Sequence, residues 1–306
     1  MAQKKTLYIC KNGLVVRKAD QSIVVTDGNS TIAKEPVTCL DSIVVMGYSQ
    51  VTEQALRLAA RGGVDIIHST NKGQTIAITS SFSSKGTLLR MQQYKAYFDE
   101  SKRLTIAKYI CGRKLEAQEQ YLKQRRAIPF KDRHVFKQEI IQLADCTSVN
   151  QVLGVEGHAA NYYFKRLKTF SSFTKRSKRP AIDIINALMN LSYSLILHRI
   201  CGIAVSYGFD TQVGFLHSLN DRRPSLALDL LELFRAQADA FVVTITNRQE
   251  FTRKDFIQEG GKGGFLLSQS AFSRFIQKFT DQLLQELEID REVSRLRSLL
   301  LEGEVD

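Results

Sequence analysis

Three short stretches carry the residue types able to do phosphate chemistry. The first, Gly154-Val-Glu-Gly-His-Ala-Ala-Asn-Tyr-Tyr-Phe164, contains Glu156. Val152, Val155, Ala159, Ala160, Tyr163 and Phe164 recur at helical spacing, so this stretch reads as a helix with Glu156 on or beside its apolar face. A carboxylate there is costly unless it is paired, hydrogen-bonded or bound to a cation. The second stretch, Gly214-Phe-Leu-His217, is apolar and ends on an imidazole. In the third, Ser225-Leu-Ala-Leu-Asp-Leu-Leu-Glu232, Asp229 and Glu232 share one face of a helix and are surrounded by leucines. Taken singly, each has an ordinary reading: an acid paired with a nearby arginine, or a histidine satisfied in a core. Taken together, carboxylates and one imidazole in apolar settings suggest a divalent-metal site. Such donors suit Mn²⁺ or Mg²⁺, with the imidazole tilting the preference toward Mn²⁺. Zn²⁺ fits less well, because the cysteines and histidines form no cluster. An ion held this way polarises a phosphoryl oxygen and activates an attacking hydroxyl. Water as attacker gives DNA hydrolysis, and a DNA 3′-hydroxyl gives strand transfer.

The charge balance points to the same partner. Lys and Arg number 43 against 31 Asp and Glu, a formal net charge of +12, which favours nucleic acid ahead of membrane. The excess is concentrated after residue 85. Residues 157–182 hold Lys165, Arg166, Lys168, Lys175, Arg176, Lys178 and Arg179 without a single acid. Basic loops are usually just solvated. This one follows the Glu156 helix and has Tyr162, Phe170 and Phe173 among its charges, so those seven residues, Tyr162 and Arg90 are the DNA-binding candidates. Lys and Arg against phosphate give salt-sensitive affinity, and aromatic rings stack on unpaired bases. His158 lies two residues from Glu156, leaves the helix on another face and is not counted as a ligand. Gly260-Gly-Lys-Gly-Gly264 lacks the spacing of a phosphate loop and reads as a connection.

The elements that must position these residues fall into two parts. Residues 1–80 alternate β-branched runs with Asn-Gly and Asp-Gly turn signals, interrupted by one helix near 52–61. Residues 81–87, rich in Ser and Gly, read as a linker. Residues 88–306 read as helices, at 88–110, 114–124, 132–144, 149–170, 182–206, 226–238 and 268–287. The fold class is therefore α+β, a small β-rich domain followed by a larger all-α catalytic domain. Cys10, Cys39, Cys111, Cys146 and Cys201 are scattered in mostly apolar surroundings, as expected of reduced, buried thiols in a cytoplasmic protein. The longest apolar runs are too short to span a bilayer, so no membrane role is expected.

The ordered set Gly-x-Glu-Gly-x-Ala-Ala-x-Tyr-Tyr-Phe, Asn186-Ala-Leu-Met-Asn-Leu-Ser-Tyr193, Gly-Phe-Leu-His and Leu-Asp-Leu-Leu-Glu-Leu-Phe-Arg resembles the CRISPR-associated endonuclease and integrase of spacer acquisition. The likeness extends to Gly47-Tyr-Ser-Gln-Val-Thr-Glu-Gln-Ala-Leu56 and Leu88-Leu-Arg-Met-Gln-Gln-Tyr94, and so covers nearly the whole chain. It implies that Glu156, His217 and Glu232 are the catalytic metal ligands and that Asp229 supports the site or shares the ion. Asn186 matches a family position of structural or supporting character. The family often has Asp where this chain has Glu232, which leaves open which of Asp229 and Glu232 binds directly. The resemblance further implies a homodimer formed through the β-domain, a small ferredoxin-like CRISPR-associated partner, and insertion of short duplexes with 3′-hydroxyl ends at CRISPR repeat DNA. Two rival readings are a transposon-encoded integrase with the same site and a metal-independent structural DNA-binding protein.

Overall fold

The structure, a computed structural model, describes residues 4–70, 75–81, 86–220, 223–258 and 264–302. The chain forms two compact units that do not follow a single cut in the sequence. Residues 1–91, 197–210 and 288–306 make the first, and residues 92–196 and 211–287 the second.

The first unit contains two four-stranded sheets. One has the order β1 (Lys5–Ile9), β5 (Leu40–Met46), β7 (Asp65–Ser69), β8 (Thr75–Thr79), parallel except for the last pair. The other has the order β4 (Ser30–Pro36), β3 (Ser22–Asp27), β2 (Val15–Ala19), β6 (Gln50–Val51), where β3 pairs antiparallel with both neighbours and β6 is parallel to β2. Helix α1 (Glu53–Arg61) is capped by the Thr52 side chain, which accepts from the Ala55 amide. Its Ala55, Leu58 and Ala59 join Ile23, Val25, Ile43, Val45 and Ile66 in one core.

The β-branched runs expected from the sequence appear as β1, β2, β3, β5, β7 and β8. β4 was not expected, because Ser30-Thr-Ile-Ala-Lys-Glu-Pro36 has no buried position and therefore no apolar alternation to read. The Asn71-Lys72-Gly73 stretch, a further turn signal in the sequence, lies outside the described residues. The last part of helix α6 (Ile184–Tyr207) belongs to this unit: Arg199 meets Asp41 at 3.3 Å, and Gly202 lies against Ser42 and Ile67. By length and composition α6 could cross a membrane, but 78% of its most apolar window is buried inside the protein, so its apolarity is used in packing.

The second unit is helical: α2 (Thr87–Phe98), which starts in the first unit and enters the second at Gln92, leads into α3 (Glu100–Gln124), then α4 (Val135–Asp145), α5 (Val149–Leu167), α7 (Ser225–Glu232), α8 (Arg235–Asn247) and α9 (Gln269–Phe279). The sequence placed one helix over 88–110 and another from 114. The break instead falls at Asp99, whose side chain accepts from the Lys102 amide and caps α3. Gly112 sits inside α3 close to Leu143 without interrupting it. The expected helix 226–238 divides at Leu233–Phe234 into α7 and α8. A short antiparallel pair, β9 (Phe256–Gln258) with β10 (Phe265–Leu267), interrupts the helices. A last helix, α10 (Ile289–Glu302), lies in the first unit and was not foreseen. Within 81–87, residues 82–85 lie outside the described residues, as do 260–263 of the glycine run. Cys111, Cys146 and Cys201 are buried, whereas Cys39 is exposed and Cys10 half-buried, so the expectation of buried thiols holds for three of them.

Candidate active site

Helix α5 starts at Ser148, whose hydroxyl accepts from the Gln151 amide, and buries Val152, Ala159, Tyr163 and Leu167. This orientation leaves Glu156 at the margin of the apolar face, with its side chain 22% exposed. Helix α7 is buried almost throughout, and its Asp229 and Glu232 are buried with it. All the groups described next lie in the second unit.

Asp229 is consumed by the backbone beside it. Its Oδ2 accepts from the Phe215 amide at 2.5 Å and the Leu216 amide at 2.9 Å. Its Oδ1 accepts from the His217 amide at 2.9 Å and contacts His217 Nδ1 at 2.6 Å. With Nδ1 donating to the carboxylate, the imidazole presents Nε2 as its acceptor nitrogen. The 213–217 turn is held from two further helices: Gln93 Nε2 donates to the Val213 carbonyl at 2.7 Å, and Arg103 Nε donates to the Phe215 carbonyl at 3.1 Å. Gly214 is required here, because a Cβ would lie 2.6 Å from Asp229 Oδ2 and 2.7 Å from the Ser225 backbone.

Glu156 and Glu232 converge on the ammonium of Lys114, a buried residue of α3. Lys114 Nζ donates to Glu156 Oε1 and lies 2.5 Å from Glu232 Oε2. Arg235 Nε approaches the same Glu232 oxygen at 2.8 Å. Burial alone would raise the Glu232 pKa, but Lys114 and Arg235 outweigh it and hold the carboxyl at about 2. The opposing charges act reciprocally. Lys114 loses solvation by burial, yet Glu232 and Glu156 more than compensate and move its pKa up. Arg235 is itself steered into place: its guanidinium lies 4.5 Å from the Tyr193 ring centroid, and the Tyr193 and Tyr163 hydroxyls both donate to buried Asp239.

The structure thus brings Glu156 and Glu232 to one cation and pairs His217 with Asp229. Among the described residues, no three of His, Cys, Asp and Glu stand as a ready-made metal cluster. Two physical reasons are visible: Lys114 stands between the two glutamates, and Asp229 has turned all its acceptor capacity toward the 215–217 backbone and His217. The donor chemistry still suits a hard divalent ion, since two carboxylate side chains already share one cationic point. His158 is engaged elsewhere: its Nδ1 meets the carboxylate of buried Glu139, and its side chain is 72% exposed.

The basic candidates divide. Lys165, Lys168, Lys175, Lys178 and Arg179 are exposed. Arg176 is engaged internally, donating to the Asn186 and Asn190 side chains at 2.9 and 2.7 Å and to the Ser177 carbonyl. Asn186, fully buried, also takes the Ser177 amide and donates to the Lys175 carbonyl, so it anchors this loop. Tyr162 donates to Asp132 at 3.2 Å beneath the Arg166 guanidinium, and Arg166 lies 3.9 Å from that same acid. Arg90, in the first unit, donates to the Gly208 carbonyl at 3.3 Å.

Lys114, Arg235, Arg103 and Gln93 escaped the sequence reading. Lys114 had a usable signal: it follows Ile110 and precedes Gln118 at four-residue steps on the buried face of α3, where a lysine needs an anionic partner.

A family model described as CRISPR associated protein Cas1 matches residues 7–281. A CRISPR-associated endonuclease Cas1 of Moorella thermoacetica is 30% identical, with 84% of this chain and 80% of that protein covered. One from Thermus thermophilus is 27% identical over 92% of this chain and 86% of that protein. Among solved structures, a Cas1 protein from Thermotoga maritima superposes with a TM-score of 0.83 at 21% identity, covering 97% of both chains. A casposase bound to its integration product gives 0.84 at 23% identity over 99% of this chain and 92% of that one. At these identities the two structures attest a shared fold, including the β-rich amino-terminal part and the helical remainder. The family match runs through the strands of the first unit and all three stretches that carry Glu156, His217 and Glu232, and the protein belongs to the CRISPR-associated Cas1 family.

Proposed function

We propose that this chain is a divalent-metal-dependent DNA endonuclease and integrase that inserts short duplexes with 3′-hydroxyl ends into a CRISPR repeat. The observation that carries the proposal is the convergence of Glu156 and Glu232 on a single cationic point, and a separate pairing of His217 with Asp229 supports it. Glu156, Glu232 and the Nε2 of His217 would hold Mn²⁺ or Mg²⁺. Asp229 serves as the positioning acid, because its oxygens are already committed to three amides and an imidazole. That commitment of Asp229 supports Glu232 as the direct ligand. The bound ion supplies Lewis acidity at a phosphoryl oxygen and neutralises charge developing in the in-line transition state.

The chain's own residues do the rest. Asp229, Gln93 and Arg103 hold the 213–217 turn that carries His217. Arg235 keeps Glu232 ionised and oriented. Exposed Lys165, Lys168, Lys175, Lys178 and Arg179 supply phosphate contacts that position the duplex without reading its sequence. Residues 1–80 would form the dimer contact, and a small ferredoxin-like CRISPR-associated protein would complete the assembly. Supporting parallels exist among the structural neighbours, which include a Cas6-RT-Cas1–Cas2 complex and the casposase with its integration product.

A strand-transfer assay tests the proposal, with a short duplex, a supercoiled plasmid carrying a repeat, and Mn²⁺, Mg²⁺ or chelator. Joining that requires the ion and is lost in His217→Ala is expected. Lys114 also supports a second reading, since a lysine bridging both glutamates is what a structural ion-pair network would contain. DNA binding that survives chelation, with no cleavage or joining under any ion, would establish that second reading.

A further inference from the structure

Lys114 is 5% exposed, and its ammonium marks the one point reached by both Glu156 and Glu232. An ion bound by both carboxylates has to take essentially that point, and two cations cannot share it. Their repulsion at such separations, in partly buried surroundings, exceeds what either carboxylate returns. The charge count agrees. Glu156 and Glu232 contribute two negative charges, and Lys114 and Arg235 contribute two positive ones. The group is balanced with the lysine in place, and a divalent ion added to it leaves an excess of two positive charges.

We propose that Lys114 is a resident counter-cation of the site, which holds Glu156 and Glu232 together in the metal-free protein and competes with the divalent ion for them. The ion enters as the ammonium swings out. A DNA phosphate arriving at the site gives the displaced ammonium a new partner, so ion binding and DNA binding strengthen each other. This rests on the metal reading above. It adds to that reading that the chain itself weakens ion binding until DNA is present.

The test is a Mn²⁺ titration of the full-length protein followed by electron paramagnetic resonance, without DNA, for wild type, Lys114→Met, Lys114→Gln and Glu156→Gln. Lys114→Met is expected to bind Mn²⁺ roughly tenfold more tightly than wild type. Its metal-free form is expected to melt lower, and saturating Mn²⁺ to restore the difference, because removing the lysine leaves buried carboxylates short of a cation. Lys114→Gln, which keeps a polar tip, is expected to move the same way and serves if Lys114→Met does not fold. A plain 12-base-pair duplex added to wild type should tighten Mn²⁺ binding more than it does in Lys114→Met. Equal or weaker Mn²⁺ affinity in both lysine variants, with wild-type binding still abolished by Glu156→Gln, overturns the competition alone. Absence of any Mn²⁺ binding that depends on Glu156 overturns the metal reading and this inference with it.

Discussion

Asp229 shows how much one buried acid can organise. Its two oxygens receive the amides of Phe215, Leu216 and His217 as well as the His217 ring, and none of its surface reaches solvent. Replacing one oxygen by an amide nitrogen in Asp229→Asn removes the charge from these hydrogen bonds and, in either amide orientation, points a donor at another donor. The expected cost is about 3 kcal/mol of stability, in the range for uncompensated buried hydrogen-bonding groups. Urea denaturation followed by circular dichroism reads that loss directly. Activity should fall further than stability alone explains, because His217 loses the partner that fixes which ring nitrogen carries the proton. A variant as stable as wild type, with His217 still active, would return Asp229 to the list of direct ligands. Lys114 makes the complementary point at this scale. The identity of a residue on a helix face is legible from its spacing, but the pairing partner is forty-two positions away in sequence, on another helix.

At the scale of elements, the sequence was most legible where periodicity carries the information. Strands β3, β5 and β7 bury continuous runs rich in β-branched residues, and α1 and α5 show their apolar faces plainly. It was least legible where a single side chain or a tertiary contact decides. The break before α3 depends on Asp99 acting as a cap, and Gly112, which looks like a helix breaker, is absorbed within α3. The site divides in the same way. Glu156 and Glu232 were visible because each is an acid among apolar neighbours. Arg235, Arg103 and Gln93 were not, since a polar residue on a mixed helix face carries no sign of what it will meet. Two glycines separate these cases experimentally. Gly214→Ala must force a Cβ against Asp229 and the Ser225 backbone, and it is expected to destabilise by at least ~2 kcal/mol and to abolish joining. Gly154→Ala, in the middle of α5 with nothing within 4 Å of the new Cβ, is expected to stabilise by ~1 kcal/mol through helix propensity. Thermal melting of the two variants side by side checks both signs. A harmless Gly214→Ala would show that the 213–217 turn tolerates movement and that its geometry does not limit the site.

At the scale of the whole molecule the question is what the +12 charge does. The structure sorts the lysines and arginines by occupation. Arg176 belongs to the fold, since its guanidinium ties the 175–180 loop to Asn186 and Asn190 on α6. Lys165, Lys168, Lys175 and Arg179 are exposed, so their charge is available to a partner. Each phosphate neutralised by such a residue releases counterions and contributes about −0.9 to the slope of log K against log salt. Neutralising Lys165, Lys168 and Lys175 together to glutamine is therefore expected to flatten the slope by roughly two to three and leave the melting temperature unchanged. Arg176→Gln should do the opposite, lowering the melting temperature through lost buried hydrogen bonds while shifting the slope by less than about one. Fluorescence anisotropy of a labelled duplex over a series of salt concentrations, paired with melting curves, distinguishes the two outcomes. A slope indifferent to the triple substitution would move the DNA-binding surface away from the 165–179 loop, toward the other basic residues of the chain. A large slope change for Arg176→Gln without loss of stability would mean that its guanidinium leaves Asn186 and Asn190 to meet the phosphate. The loop that α6 now anchors would then be a part that rearranges on binding.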